Sequence, residues 1–172
     1  PIFAKSHTNL TDVSKFTAAF ICSPTHTHIT YAEKLLAKEI PLFIEKPLSD
    51  KLDSKIRSLL KTAKDNKIFC MIGFNLRFLP IIQSITQLLK QNKLGKILAA
   101  DLYVGQYLPD WRPNNKYEET YSASFKQGGG VALDLIHEVD LAYHWFEINS
   151  PIITSHKLSS LNIDTEDNVH IA

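Results

Sequence analysis

The sequence predicts an α/β protein that begins with a parallel sheet covered by helices and continues into a region with a different pattern. Three short apolar runs, at 18–22, 40–44 and 67–73, are separated by segments with helical spacing of apolar residues. Continuous apolar strands are typical of parallel sheets that are buried on both faces. Beyond these runs the periodicity changes, which indicates a second domain. The predicted domains are residues 1–76 and 77–172.

Two helices are predicted between the strands of the first domain. One extends from His28 to Glu39, with apolar residues three or four positions apart. The other begins after Ser49, whose hydroxyl suits an N-cap, and it has Asp50 and Asp53 near the positive end of its dipole. Its apolar stripe consists of Leu52, Ile56, Leu59, Leu60 and Ala63.

Helices and strands are also predicted in the second domain. Pro80 suits the first turn of a helix, and Gly95 suits the end of that helix. Residues 97–107 alternate between apolar and other residues, which favours a half-buried strand. Residues 108–127 are predicted to form a long loop of the kind that is often functional. A helix over 131–146 and strands at 152–160 and 168–172 follow.

The composition is typical of an ordinary soluble globular protein. The chain has 172 residues, of which 44% are hydrophobic and 22% charged, and its net charge of +1 does not favour a nucleic-acid partner. Neither a membrane span nor a secretory signal is predicted. Cys22 and Cys70 lie in apolar runs without CxxC spacing, so we expect buried thiols and a cytoplasmic location. Because the chain starts at Pro1 and stops within a predicted strand, we expect a fragment.

Glu45, Lys46 and Pro47 stand together at the end of the second apolar run. The carboxyl ends of parallel strands share one edge of the sheet, where ligands bind in open α/β sheets. A lysine there is partly desolvated, which lowers its pKa, and its amine can hydrogen-bond a substrate hydroxyl. The alternative is a solvated strand end with a proline turn. Whether the bond before Pro47 is cis stays open.

Asp134 and His137 follow the glycines at 128–130. Their spacing of three places them on one face of a helix. A histidine beside a carboxylate can accept and return a proton near neutral pH, whereas the alternative is an interior histidine with an exposed aspartate. The glycines lack the GxGxxG pattern of a phosphate loop, and we expect them to let the backbone approach a ligand.

Two further segments end strands at the same edge. Residues 25–28, THTH, resemble a metal pair, but no Cys or carboxylate cluster completes a metal shell, so a turn that contacts a ligand is favoured. Asn75 and Arg77 follow the third apolar run and are expected near the same edge. Arg77 is expected either to hold an anionic or polyhydroxyl group or to form an interdomain salt bridge. Tyr107 and Trp111 are predicted to contact substrate, with packing as the alternative.

Four segments, AAFICSPTHTH, FIEKPLS, GFNLRF and GGGVALDLIHEVDLAYHWF, in this order resemble the Gfo/Idh/MocA family of nicotinamide-dependent sugar and cyclitol oxidoreductases. The resemblance implies a partial Rossmann parallel sheet followed by part of an α/β domain with an open, mainly antiparallel sheet. It also implies NAD or NADP as cofactor, a sugar, cyclitol or nucleotide-sugar as substrate, and a homo-oligomer formed through the C-terminal sheet.

The resemblance also implies roles for individual residues. Lys46 matches the family's active-site lysine, and Asp134 and His137 match its helix Asp and His. By this comparison a hydride passes between a substrate carbinol carbon and the nicotinamide, while His137 handles the hydroxyl proton and Lys46 polarises the oxygen. The residues implied to border the cofactor are Ser23, Pro24, Thr25, His28, Glu45, Lys46, Pro47 and Asn75. Those implied to contact substrate are Lys46, Arg77, Tyr107, Trp111, Asp134 and His137.

The chain departs from the family pattern in two ways. In many members the Asp and the His are four residues apart, whereas Asp134 and His137 are three apart. The glycine-rich phosphate turn is missing, so we expect this chain alone to bind NAD(P) weakly or not at all and to be inactive. Two other functions stay open. One is a non-catalytic sugar-binding or assembly remnant, and the other is a metal-dependent hydrolase that uses His26, His28, His137 and His144.

Overall fold

A computed structural model describes Val13 and residues 16–172. Its first sheet has three parallel strands in the order β1-β2-β3. These are β1 (Ala19–Ile21), β2 (Leu42–Ile44) and β3 (Cys70–Ile72). Ile21 pairs with Ile44, and Ile44 pairs with Ile72, so the three strands end at the same level. The parallel sheet is confirmed, although each strand is shorter than its apolar run.

Two helices flank this sheet and form the core with it. They are α1 (His28–Leu36) and α2 (Ser54–Asp65). Ala32 of α1 and Ile44 of β2 are completely buried. The other core residues are Ile21, Ile29, Leu35, Leu36, Ile40, Leu42, Ile56, Leu59 and Ala63. The core residues on α1 and α2 follow the predicted helical spacing, except that Leu60 of the predicted stripe is 52% exposed.

The start of α2 differs from the prediction. Asp53, not Ser49, is the N-cap, and its carboxylate accepts hydrogen bonds from the backbone N–H groups of Lys55 (2.9 Å) and Ile56 (3.4 Å). Ser49 instead accepts a bond from Lys51 N–H within the preceding turn. Leu52 therefore lies outside the helix and is 89% exposed. Asp and Ser are about equally favourable as N-caps, so the sequence did not show which of the two residues begins the helix.

Among the helices of the second half, α3 (Pro80–Lys90) begins at the predicted proline and has no buried residue. The predicted long helix is divided into α5 (Val131–Asp134) and α6 (Ile136–Trp145). The division lies at Leu135, whose φ of −104° and ψ of 36° depart from helical values. Asp134 and His137 consequently belong to different helices, and the simple i, i+3 face of one helix does not apply.

The strand predicted at 97–107 is absent from the structure. A strand is stabilised by hydrogen bonds to a neighbour, and β4 (Ile153–His156) and β5 (Asn168–Ile171) pair only with each other, antiparallel. Leu98 and Tyr103 are 86% and 95% exposed. The predicted loop at 108–127 contains α4 (Leu108–Trp111) and three short 3-10 turns, at 117–119, 121–123 and 125–127.

The two cysteines also differ from the prediction. Cys22 is exposed and Cys70 is partly exposed, and both are free thiols. Both cysteines belong to apolar runs, but Cys22 lies one residue beyond the end of β1 and is not covered by other residues. Within the part of the chain that the structure describes, no helix has the length and apolarity that a membrane crossing needs.

Candidate active site

The three strand ends bring polar residues to one edge of the sheet. Glu45 N–H donates to Ile21 O (2.9 Å), and Gly73 N–H donates to Ile44 O (2.8 Å), so the ladder continues one residue past each strand. A Cβ added to Gly73 would lie 3.3 Å from both Glu45 carboxylate oxygens. Glycine thus allows the Glu45 side chain to lie against the neighbouring strand end.

Lys46 extends from this edge toward the second half of the chain. Its Nζ donates a hydrogen bond to the backbone carbonyl of Asp134 at 2.6 Å. Burial lowers the pKa of Lys46, and the positive charge of Arg112 acts in the same direction, whereas Asp134, Glu45 and Glu138 raise it. The peptide bond between Lys46 and Pro47 is cis. The hydrogen bond to Asp134 O places the amine at the end of α5.

Asp134 is 6% exposed at the end of α5. Burial raises the pKa of its carboxyl, while the nearby hydroxyls of Ser122 and Tyr121 and the charges of Lys46 and Arg112 lower it. The hydroxyl of Ser122 is itself buried without a hydrogen bond of good geometry among the described residues. Asp134 thus combines a carbonyl that binds Lys46 with a carboxyl whose charge is disfavoured by burial.

The glycines before α5 lie against other parts of the chain. Gly130 has φ 115°, and a Cβ there would lie 2.5 Å from a carboxylate oxygen of Glu166. That carboxylate accepts a hydrogen bond from Ala132 N–H at 3.1 Å, and Glu166 O accepts one from Val131 N–H at 3.3 Å. A Cβ at Gly129 would meet the carbonyl oxygens of Tyr121 and Ser122. At Gly129 and Gly130 the absence of a side chain makes room for other parts of the chain.

His137 lies in the first turn of α6. Burial lowers the pKa of its imidazole, the charge of Lys46 lowers it further, and Glu138, Asp140 and Glu45 raise it. Its Nδ1 is buried without a hydrogen-bond partner in the described structure, which leaves Nε2 as the nitrogen that can reach a ligand. The Phe74 ring packs edge-on at 6.3 Å between centroids. A neutral imidazole within electrostatic range of an amine can accept a proton.

His28 connects the loops after β1 and β2. It is 1% exposed, and its ring nitrogens lie 2.7 Å from Ser23 O and 2.9 Å from Pro47 O. Both nitrogens are therefore occupied by backbone oxygens, and neither is available to a ligand. In the same loop, Ser23 Oγ lies 2.6 Å from Thr27 Oγ1.

The remaining members of this loop differ in exposure. Thr25 is buried, whereas Pro24 and His26 are exposed. The imidazole of His26 lies 3.1 Å from Gln127 O, just before the glycines. The loop therefore presents its backbone, Ser23 and Pro24 at the sheet edge, and His26 joins it to the second half.

Arg77 forms the ion pair that was one of its two predicted roles. Its guanidinium donates to both carboxylate oxygens of Asp140, at 2.7 Å and 2.6 Å. The Asp140 side chain is 7% exposed and that of Arg77 is 38% exposed. Arg77 also lies over the Phe74 ring at 5.7 Å. This pair fixes α6, and with it His137, to the segment after β3, where Asn75 is exposed.

The architecture has known counterparts. A family model described as an oxidoreductase family with an NAD-binding Rossmann fold matches residues 2–74. Residues 2–74 thus match the Gfo/Idh/MocA oxidoreductase family. Inositol 2-dehydrogenase of Rhizobium meliloti (strain 1021) is 29% identical over 127 residues, which cover 73% of this chain and 35% of that protein. Glucose-6-phosphate 3-dehydrogenase of Bacillus subtilis (strain 168) is 28% identical over 148 residues, covering 85% and 41%.

Solved structures of other oxidoreductases share the fold. The WlbA dehydrogenase from Bordetella pertussis, in complex with NADH and UDP-GlcNAcA, has a TM-score of 0.78 at 16% identity, over 96% of this chain and 48% of that one. An oxidoreductase from Agrobacterium radiobacter, in complex with NAD⁺, L-tartaric acid and magnesium, has a TM-score of 0.71 at 20% identity, over 91% and 44%. The chain thus spans less than half the length of these relatives, and the predicted partial Rossmann fold is confirmed.

A cavity of about 390 Å³ lies in the second half of the chain. Tyr107, Trp111 and Asp134 line it, as does the segment 158–168, but Lys46 and His137 do not. Tyr107 is 61% exposed and Trp111 is half-buried. The two aromatic residues therefore meet Asp134 at the cavity, and Asp134 O in turn accepts the hydrogen bond from Lys46.

Two residues at this site did not emerge from the sequence. The guanidinium carbon of Arg112 lies 5.2 Å from the centroid of the Trp111 ring and 4.9 Å from that of Tyr121, and Glu166 accepts a hydrogen bond from Ala132 N–H in the first turn of α5. The only signal for Arg112 was a cation next to an aromatic residue in a long loop. Glu166 gave no signal, because its partner Ala132 is 34 residues away.

The metal-dependent hydrolase alternative finds no support in the described residues. They include no group of three or more His, Cys, Asp or Glu side chains arranged to hold a metal ion. His28 uses both ring nitrogens on backbone oxygens, and His26 contacts Gln127 O.

Proposed function

We propose that this chain contains the reaction centre of an NAD(P)-dependent oxidoreductase that acts on a hydroxyl or keto carbon of a sugar, cyclitol or nucleotide-sugar. The contact of Lys46 Nζ with Asp134 O, beside a His137 whose pKa is lowered, carries this proposal. This hydrogen bond joins the carboxyl edge of the parallel sheet to α5, the helix that follows the glycines at 128–130. The relatives support the substrate class, since they include an inositol and a sugar-phosphate dehydrogenase.

The residues at the sheet edge suit a nicotinamide. Ser23, Glu45 and Lys46 are half-buried there, and Pro24 and Asn75 are exposed, so a flat ring would meet polar groups and backbone at the carboxyl ends of β1–β3. When bound, the cofactor would supply hydride chemistry. The sequence has no GxGxxG segment, so these residues address the nicotinamide end and not the pyrophosphate.

The residues of this chain account for the proton. Lys46 would donate a hydrogen bond to the reacting oxygen, and Asp134 O would hold the amine in position. In the oxidative direction the carbinol C–H bond would break with its electron pair passing as hydride to the oxidised nicotinamide, the hydroxyl proton would pass to His137 Nε2, and the C–O bond would become a carbonyl. Because burial and Lys46 lower the pKa of His137, the imidazole is neutral and ready to accept that proton at neutral pH.

The experiment that tests this function uses the full-length protein with inositols, sugars and nucleotide-sugars, each with NAD⁺ and NADP⁺. Cofactor absorbance reports hydride transfer. We expect turnover of at least one compound, and Lys46→Ala should lower kcat by about 10²-fold or more while cofactor binding persists. The exposed Lys51→Ala variant, in the same segment, is the matched control and should keep full activity.

Two outcomes would contradict the proposal. One is no hydride transfer with any compound and either cofactor. The other is turnover that Lys46→Ala leaves unchanged. Sugar binding without turnover would favour the alternative of a non-catalytic remnant.

A further inference from the structure

Arg112 is held in a fixed position beside the reaction centre. Its guanidinium carbon lies 5.2 Å from the centroid of the Trp111 ring and 4.9 Å from that of Tyr121. All three side chains are half-buried. Cation–π contacts of this kind orient a guanidinium without consuming its charge. The loop therefore presents a positioned cation and not a mobile surface arginine.

The donors of Arg112 are only partly used by the chain, which provides a hydrogen bond with the Tyr121 side chain that lowers the pKa of that tyrosine. Ring contacts use the faces of the guanidinium plane, whereas its five N–H groups point outward in that plane. Throughout residues 16–172 the ion pairs join Lys61 to Asp65, Arg77 to Asp140 and Lys116 to Glu119, and none includes Arg112. Arg77 shows the contrast, because its Nε–H and one Nη2–H donate to the two carboxylate oxygens of Asp140.

The charge of Arg112 acts on the reaction centre itself. It lowers the pKa of Lys46 and opposes the rise that burial causes in the pKa values of Asp134 and Tyr121. The charges of two cations, Lys46 and Arg112, thus act on the largely buried carboxyl of Asp134. The 390 Å³ cavity is different, since its lining includes Asp134, Glu166 and Asp167 and no lysine or arginine. An anion is favoured beside Lys46 and Arg112 and disfavoured inside the cavity.

We propose that Arg112 binds an anionic group, a carboxylate or a phosphate, on the sugar whose hydroxyl meets Lys46. This inference rests on the proposed function and specifies its substrate class as acidic or phosphorylated sugars. A guanidinium fork matches both anions through two parallel hydrogen bonds. The residue selects the substrate and orients it, while Lys46 and His137 act at the reacting carbon.

The test measures binding to the full-length protein by isothermal titration calorimetry at low ionic strength. The probes are neutral sugars of the gluco, galacto and manno series, their uronates and their 6-phosphates. We expect at least one anionic form to bind about tenfold more tightly than its neutral counterpart. Arg112→Gln should reduce that anionic affinity to the neutral level. Lys116→Gln removes an equal charge from an exposed residue paired with Glu119 and should change nothing.

The outcomes separate the possible explanations. A preference for uronates or for 6-phosphates identifies the anion. No preference for any anionic form, or an equal loss for neutral and anionic sugars in Arg112→Gln, overturns the inference, because the residue would then only order its loop. Anion-selective binding that depends on Arg112 without hydride transfer contradicts the proposed function alone. Hydride transfer from neutral sugars that survives Arg112→Gln contradicts this inference alone.

Discussion

The interactions that stabilise the first half of the chain differ from those that position the second half. Residues 16–76 enclose an apolar core between three parallel strands and two helices, in which Ala32 and Ile44 have no exposed surface. In residues 77–172, α3 buries no residue and all four residues of β4 are exposed. The second half is joined to the first by polar contacts, notably Lys46 with Asp134 and Arg77 with Asp140.

This difference separates stability from chemistry. Apolar burial holds the sheet whose edge presents Lys46, since each buried aliphatic side chain contributes about 1.5–3 kcal/mol. The polar contacts contribute less, but they decide where Asp134 and His137 lie relative to that edge. Substitutions in the core should therefore change stability most, and substitutions of the polar contacts should change the site.

The largest expected effect comes from Leu36→Ala. Leu36 is 2% exposed in the core, and its truncation should lower the free energy of unfolding by about 3 kcal/mol through lost burial and a cavity. The same substitution at Leu98, 86% exposed in the second half, should stay within about 0.5 kcal/mol. Denaturant unfolding of the full-length variants measures both. Equal losses would show that the second half is packed as tightly as the first.

A smaller loss is expected for Arg77→Ala. It leaves the carboxylate of Asp140, 7% exposed, without its partner, and we expect a loss of about 2 kcal/mol, below the ~3–5 kcal/mol of fully buried pairs because Arg77 is 38% exposed. Lys61→Ala removes one partner of an exposed pair with Asp65 and is the matched control, for which we expect no measurable change. Thermal unfolding compares the two.

The same variant tests whether Arg77 binds substrate. As an ion pair with Asp140, it should leave the KM for sugar unchanged in the surviving folded enzyme. A raised KM with unaltered unfolding temperature would restore the ligand-binding interpretation of Arg77.

The sequence correctly predicted the elements that have a clear local pattern of apolar residues. The apolar runs predicted β1–β3, and helical spacing predicted α1 and α2, because the partners of these elements lie within 60 residues. The order of strands also implied that Lys46 lies at the ligand-binding edge. These predictions depend on local periodicity and on the handedness of crossovers, both of which are readable along the chain.

Features that depend on distant partners were not readable. Residues 97–107 alternate like a strand but have no hydrogen-bonded neighbour in the described structure. The helix after the glycines divides at Leu135, and its first turn depends on Glu166. Arg112 contacts the ring of Tyr121, nine residues further along the chain, as well as that of its neighbour Trp111. Alternation and glycine spacing describe preferences, whereas pairing and contact are decided by the fold.

The smallest expected effect concerns the pH dependence of stability at Asp134, where the two halves meet. Burial raises the pKa of this carboxyl in the folded state. Its contribution to stability is therefore fully present below the ordinary Asp pKa of about 3.9 and is lost as pH rises through the raised value. Asp134→Asn cannot ionise, so its unfolding temperature relative to the wild type should increase between acidic and neutral pH. Asp101→Asn, at an exposed position, controls for the removal of one carboxylate. A relative unfolding temperature that falls over this range would mean that Lys46 and Arg112 outweigh burial, and that the polar contacts between the halves stabilise the fold as well as place the site.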